Sequence, residues 1–243
     1  MTYCLGIVLT TGLVMASDSR SNAGVDQVAR VRKQAIIAKA GERVISILSA
    51  GNLATSQAVV TRVTQAAGAG QPGEDVVAAA TLFDVATIVG EGLREVIAHD
   101  GRFVTPYGNG DASFLVGGQI RGEPPRLFQI YQAGNFIEAT PRSCFLQIGE
   151  TKYGKPILDR TLASESRLDE AAKVALLSFD ATLRSNLSVG PPIDLLVYQA
   201  DSFSAAGFST LEDDNPYWQS LRSAYGEGLM ALVGSLPPPP AHP

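Results

Sequence analysis

The extended runs in the first fifty residues arrive in pairs, and that pairing constrains the fold more than any other feature. Residues 3–9 (YCLGIVL) and 13–19 (LVMASDS) flank the turn TTG at 10–12. Two apolar runs around a Gly-containing turn predict a β-hairpin. The stretch QAIIAKAGERVISILSAG repeats the arrangement around Ala40-Gly41-Glu42, its second run stopping at Ala50-Gly51. Its β-branched residues favour strands, and the central Ala-Gly-Glu favours a turn. Four antiparallel strands therefore open the chain.

The period then changes. Asn52 is placed to cap a helix in which Leu53, Val59, Val60 and Val63 recur at helical spacing to about residue 67, and GAGQPG at 68–73 ends it. From Glu74 to about Ala98 the residues Val77, Leu82, Val85, Val89, Leu93, Val96 and Ile97 predict a second helix. Strand character resumes in SFLVGGQI (113–120), RLFQIYQ (126–132) and CFLQIG (144–149). A short helix is expected at 155–163. A longer one is expected from Ser166, with Ser166 and Asp169 as a capping pair and Leu168, Ala172, Leu176, Phe179 and Leu183 as one face. The strand IDLLVYQA (193–200) closes the order. Strands, two helices, strands, helices and a last strand predict an α/β fold, a four-layer αββα sandwich of two mostly antiparallel sheets. One domain is expected over 1–200. Residues 201–243 read as a C-terminal extension, in which Tyr217, Trp218, Leu221 and Tyr225 predict a short helix against the core or a neighbouring subunit, followed by a proline-rich end.

Composition removes several function classes. A chain of 243 residues with 45% apolar content can bury one full core. Its net charge is −5, and its 19 Lys and Arg residues are scattered, so no nucleic-acid footprint is present. The N-terminus reaches Asp18 without a basic leader, and the longest apolar helical pattern is interrupted by Asp84 and Glu91, so neither a signal peptide nor a membrane span is expected and the cytoplasm is the expected location. Cys4 and Cys144 have no metal or redox spacing and are expected to be buried core residues. The only histidines are His99 and His242, which leaves little from which to build a Ser-His-Asp triad or a histidine metal site. GNGDASFLVGG lacks the Lys-Ser/Thr of a phosphate loop, and EDD at 212–214 reads as a solvated turn, so no metal or cofactor is expected.

An acyl-transfer site without histidine needs another base. If Met1 is removed, Thr2 carries a hydroxyl and a free α-amine on one residue, and that amine, with an ordinary pKa of about 8, is a weak base already beside the hydroxyl. A nearby cation lowers the amine's pKa, and a carboxylate holds the cation in place. Asp18, at the end of the second strand, returns beside Thr2 through the hairpin, and Lys33, before the third strand, can reach the same end. Gly51, between a strand and a helix N-terminus, offers a backbone amide to an oxyanion.

Together these residues resemble a known family. A threonine heading a strand, a strand ending Ala16-Ser17-Asp18-Ser19-Arg20, Lys33 about fifteen positions later, and Ser49-Ala50-Gly51 leading into a helix resemble the proteasome β-subunit family of N-terminal nucleophile hydrolases. TYCLGI at the start and GETKYGKPILDR at 149–160 resemble in particular its bacterial proteasome-like branch, called Anbu, and the likeness covers about residues 2–200. The resemblance implies the αββα sandwich, Thr2 as nucleophile with its amine as base, Asp18 and Lys33 as the supporting pair, Gly51 as oxyanion donor, and Arg20 beside that pair. It implies cleavage of a peptide or protein substrate inside a homo-oligomer that restricts access, and leaves an unfoldase partner open. Two departures stand out. Gly149-Glu150-Thr151 replaces the Gly-Ser-Gly-like turn of many relatives, and a carboxylate at Glu150 favours the protonated amine. Ser185 and Ser188 stand where the family usually has an aspartate three residues before a serine, so Ser188 carries over as a supporting residue without that charge. Two alternatives therefore stay open: a non-catalytic proteasome-like scaffold, and an N-terminal nucleophile hydrolase acting on a small amide.

Overall fold

The structure is a computed structural model that describes residues 1–23, 27–71 and 73–240. His242 lies outside the described residues. The opening hairpin is β1 (Tyr3–Leu9) and β2 (Gly12–Asp18), and the second is β5 (Gln34–Lys39) and β6 (Arg43–Gly51). Between them lies a small third hairpin, β3 (Arg20–Ala23) and β4 (Gln27–Arg30). Helices α1 (Leu53–Ala66) and α2 (Leu82–Val104) follow, then β7 (Ala112–Ile120), β8 (Arg126–Ile130), β9 (Phe136–Glu138) and β10 (Phe145–Gly149). The chain continues through α3 (Lys155–Thr161), α4 (Leu168–Ser185), β11 (Ile193–Gln199), β12 (Phe208–Leu211) and α5 (Pro216–Ser235).

Two five-stranded antiparallel sheets result, one ordered β10-β1-β2-β11-β12 and the other β5-β6-β7-β8-β9. Strand alternation assigns the layers, because successive side chains point to opposite faces. In β1, Tyr3, Leu5 and Ile7 pack with Leu158 of α3 and with Ala175, Leu176 and Phe179 of α4, whereas Cys4 faces the other sheet. In β6, Ile45 and Ile47 pack with Val59 and Val63 of α1 and Val85 and Val89 of α2. Its neighbours Val44, Leu48 and Ala50 instead meet Leu13 and Met15 of β2 between the sheets. The order helix, sheet, sheet, helix is the αββα sandwich that the element order predicts, and near-continuous burial of strands covered on both faces, with packing partners alternating from residue to residue, is what builds it. Residues beyond 200 are continuous with this body. Strand β12 pairs with β11, and Trp218 of α5 is fully buried in the core cluster that contains Tyr3 and Phe179. Among the described residues no helix is long and apolar enough to cross a membrane. Cys4 and Cys144 are free and buried, as expected.

Three local expectations need correction. Helix α2 begins at Leu82 rather than Glu74, because Thr81 and Asp84 form a reciprocal capping box, and it runs on to Val104. The residues before it are turned by Asp75, whose carboxylate accepts from the amides of Gly68, Gly70 and Val77. Helix α4 is not capped by Ser166. The Ser166 hydroxyl oxygen accepts from the Ala163 amide, Arg167 is the cap residue without a side-chain cap bond, and Asp169 pairs with Arg167. Finally, α5 is 20 residues long rather than short, starting from Asn215, whose side chain accepts from the Trp218 amide.

Candidate active site

Thr2 is held from both sides. The Tyr3 amide donates to Asp18 Oδ1 at 3.0 Å, and the Thr2 carbonyl accepts from the Glu150 amide at 2.7 Å. That second contact requires glycine at 149. Gly149 has φ +84°, and a Cβ there would lie 2.0 Å from the Thr2 carbonyl oxygen. The position of Thr2 at the end of β1 is thus set by strand register with β2 and β10.

Asp18 ends β2 fully buried, and its two oxygens collect donors from four residues. Oδ1 accepts from Lys33 Nζ at 2.7 Å as well as from Tyr3, while Oδ2 accepts from the amides of Arg20 at 3.3 Å and Gly190 at 3.2 Å. Burial pushes the Asp18 carboxyl up, and the Lys33 ammonium and the Tyr3 and Gly190 amides oppose it. Four donors around two oxygens are satisfied together by the carboxylate form. Lys33 also donates to the Arg20 carbonyl at 2.6 Å, so the ammonium is fixed at two points.

Gly51 ends β6 with φ +107°, where a Cβ would come within 2.3 Å of the Asp111 carbonyl oxygen. Any side chain there would break the passage from β6 into α1, whose cap is the Asn52 side chain accepting from the Thr55 amide. Thr2, Lys33 and Gly51 line one cavity of about 520 Å³, between the end of β1, the start of β5 and the first turns of α1. A cavity of about 540 Å³ beside the start of β10 is lined by none of the site residues expected from sequence.

The remaining expected residues surround this group. Arg20 Nη1 donates to the Leu187 carbonyl at 2.7 Å, fastening the segment after α4 across the Asp18 end of β2. Ser188 takes part through its backbone, its amide donating to Asn186 Oδ1 at 2.9 Å. Glu150 is buried, with Oε2 accepting from Asn186 Nδ2 at 2.8 Å and Lys152 lying 3.6 Å from Oε1. Ser185 is the last residue of α4. His99 is exposed beside Asp100, remote in the chain from all of these. Two participants were not anticipated. Gly190 donates to a carboxylate 172 positions away, and Asn186 occupies Glu150 across 36. Neither carries a motif, and only the shape of the loop after α4 brings them in.

No protein-family model and no curated protein matches the chain. Solved structures do. Anbu (ancestral beta-subunit) from Yersinia bercovieri is 44% identical, with a TM-score of 0.92 over 99% of this chain and 100% of that one. A helical assembly of the Anbu complex from Pseudomonas aeruginosa is 45% identical, with a TM-score of 0.93 over 98% of each chain. An Anbu (Gly-1) mutant from Hyphomicrobium sp. strain MC1 is 45% identical, with a TM-score of 0.91 over 99% of this chain and 100% of that one.

Proposed function

The chain belongs to the Anbu family of proteasome-like proteins, and from that premise we propose that it is a threonine-type amide hydrolase working on peptide or protein substrates in the cytoplasm. The observation that carries the reading is the shared cavity of Thr2, Lys33 and Gly51 above the buried Asp18–Lys33 pair at 2.7 Å.

With Met1 removed, the Thr2 amine takes the proton of its own hydroxyl as Oγ attacks the scissile carbonyl, and the oxyanion draws on the Gly51 amide. The protonated amine then passes its proton to the leaving nitrogen, forming an acyl ester on Thr2. Water, deprotonated by the same amine, hydrolyses that ester and restores the hydroxyl. Lys33 favours the neutral, basic amine by its charge, and Asp18 holds Lys33 in position through the contacts above.

The likeness to a helical Anbu assembly also supports a homo-oligomer. In the extension proposed for residues 201–243, Leu229, Leu232, Val233 and Leu236 recur at helical spacing and are exposed, as is Met230. Such a stripe on one chain is suited to burial against a second copy.

Intact mass spectrometry tests the catalytic reading. The mature chain is expected to lack one methionine, and Thr2→Ala is expected to abolish amide hydrolysis while leaving assembly unchanged. Retained methionine, or turnover by the Thr2→Ala chain, would refute it. The scaffold reading draws on one specific observation, the buried side chain of Glu150, a residue whose backbone amide donates to the Thr2 carbonyl, and retained methionine with intact assembly would favour it.

A further inference from the structure

The cavity beside Thr2 has a charge pattern opposite to that of the molecule. The whole chain carries −5, yet among the described residues the only ionised side chains lining this cavity are Arg32 and Lys33. Lys33 is already held by Asp18 and the Arg20 carbonyl. Arg32 is different. It is exposed, its Nε lies 3.6 Å from Asp194 Oδ2, and its guanidinium stands over the Phe208 ring at 5.5 Å. Asp194 is itself buried and engaged through Oδ1 by the Thr210 hydroxyl. These contacts fix the guanidinium from one side only, and among the described residues neither of its terminal nitrogens makes a hydrogen bond to the chain. The rest of the lining includes Ile36, Leu53 and Val60, an apolar wall suited to a methylene stem.

Taking the Thr2 reading as given, we propose that Arg32 is a specificity-determining residue, and that the cavity selects acyl groups whose side chain ends in a carboxylate, with glutamate as the fitting case. The stem lies on the apolar wall and the carboxylate meets the two terminal nitrogens of the fork, a pairing that a planar guanidinium makes bidentately and an ammonium does not. A cationic side chain meets the Arg32 guanidinium, and among the described residues no carboxylate lines the cavity to receive it, so it is rejected.

Two measurements test this and separate it from the fate of the Thr2 mechanism. The first is the rate at which peptide epoxyketones, identical except for glutamate, glutamine or leucine next to the warhead, form an adduct on Thr2. Glutamate is expected to react roughly tenfold faster than its neutral isostere glutamine, with the advantage shrinking as salt is raised. Arg32→Gln should remove the preference. Arg32→Lys, which keeps a countercharge for Asp194 and so protects folding, should leave only part of it. Adduct formation at equal rates would overturn the inference and leave the mechanism standing. The second measurement does not need the nucleophile: binding of the corresponding peptide amides to the Thr2→Ala chain. Tighter binding of the glutamate peptide, lost in Thr2→Ala/Arg32→Gln, supports the inference even if no epoxyketone reacts. Equal affinities, or a preference for leucine, overturn it.

Discussion

The two ends of the Asp18–Lys33 pair are unequal in consequence. Both side chains are almost fully buried, and each answers a charge that water cannot reach. Removing one partner leaves the other uncompensated, which in buried pairs costs about 3–5 kcal/mol, whereas replacing both with neutral groups of similar volume costs far less. Lys33→Met is therefore expected to lower the urea midpoint strongly, and Asp18→Asn/Lys33→Met to recover much of the loss while remaining inactive. A double variant as unstable as the single one would contradict this account. Tyr3 gives a second residue-scale test. Burial pushes its phenol from 10.0 up to about 12, with the Ser178 and Gln147 hydrogen bonds opposing. The unfolded chain ionises first, so the stability held by the neutral phenol is fully present below pH 10 and drains away between pH 10 and 12, by roughly 2–3 kcal/mol. Urea midpoints across that window should fall more steeply for the native chain than for Tyr3→Phe. At this scale the placement of Thr2, Asp18, Lys33 and Gly51 at strand ends was legible in the sequence, because the hydrophobic pattern locates those strands, while the roles given to them rest on the family resemblance. Gly190 and Asn186 were not, because nothing local marks a loop residue that donates to, or engages, a carboxylate elsewhere in the chain.

Elements long enough to show their period were readable, and those defined by a single contact were not. Strands β1 and β2 announce themselves through apolar runs around a Gly-containing turn and β5 and β6 through β-branched runs, whereas β3, β9 and β12 have three or four residues each, too few to establish an alternation. The start of α2 was misplaced because Val77 falls in phase with the helix although the Asp75 carboxylate holds its amide in a turn. What fixes the true start is the Thr81–Asp84 box, and Thr81→Ala is expected to destabilise the protein by about 1 kcal/mol, read as a lower urea midpoint with an unchanged slope. Helix α5 is fastened in two ways: Trp218 is fully buried in the core cluster on the α3–α4 side of the sandwich, and Arg222 Nε donates to the buried Asp180 of α4 at 2.8 Å. Trp218→Ala should cost about 3–5 kcal/mol and speed amide exchange through 216–235. The indole nitrogen finds no acceptor among the described residues, so Trp218→Phe, which removes that buried donor and keeps a ring, should be much milder.

For the whole molecule, the far end of α5 bears on function most directly. Its first turns belong to the core through Trp218, but Leu229, Leu232, Val233 and Leu236 are between 46% and 70% exposed on one stripe, with Met230 beside them at 79%. A 20-residue helix that is anchored at its start and greasy at its end is stable alone only if something covers the greasy part. In a homo-oligomer the cover is another copy, and the core then needs nothing from the last turns. The expectation follows that light scattering of the full chain gives a mass several times the 25.6 kDa of one copy, and that a chain ending at Gly228 shifts toward smaller species. Because Trp218 and Arg222 remain in the shortened chain, its thermal midpoint measured at low concentration should stay close to that of the full chain. An undiminished assembly after the truncation would place the contacts elsewhere on the sandwich and leave the stripe without a role. A monomeric full chain at every concentration would remove the oligomer itself, and with it the restriction of access that a compartment would give the Thr2 cavity.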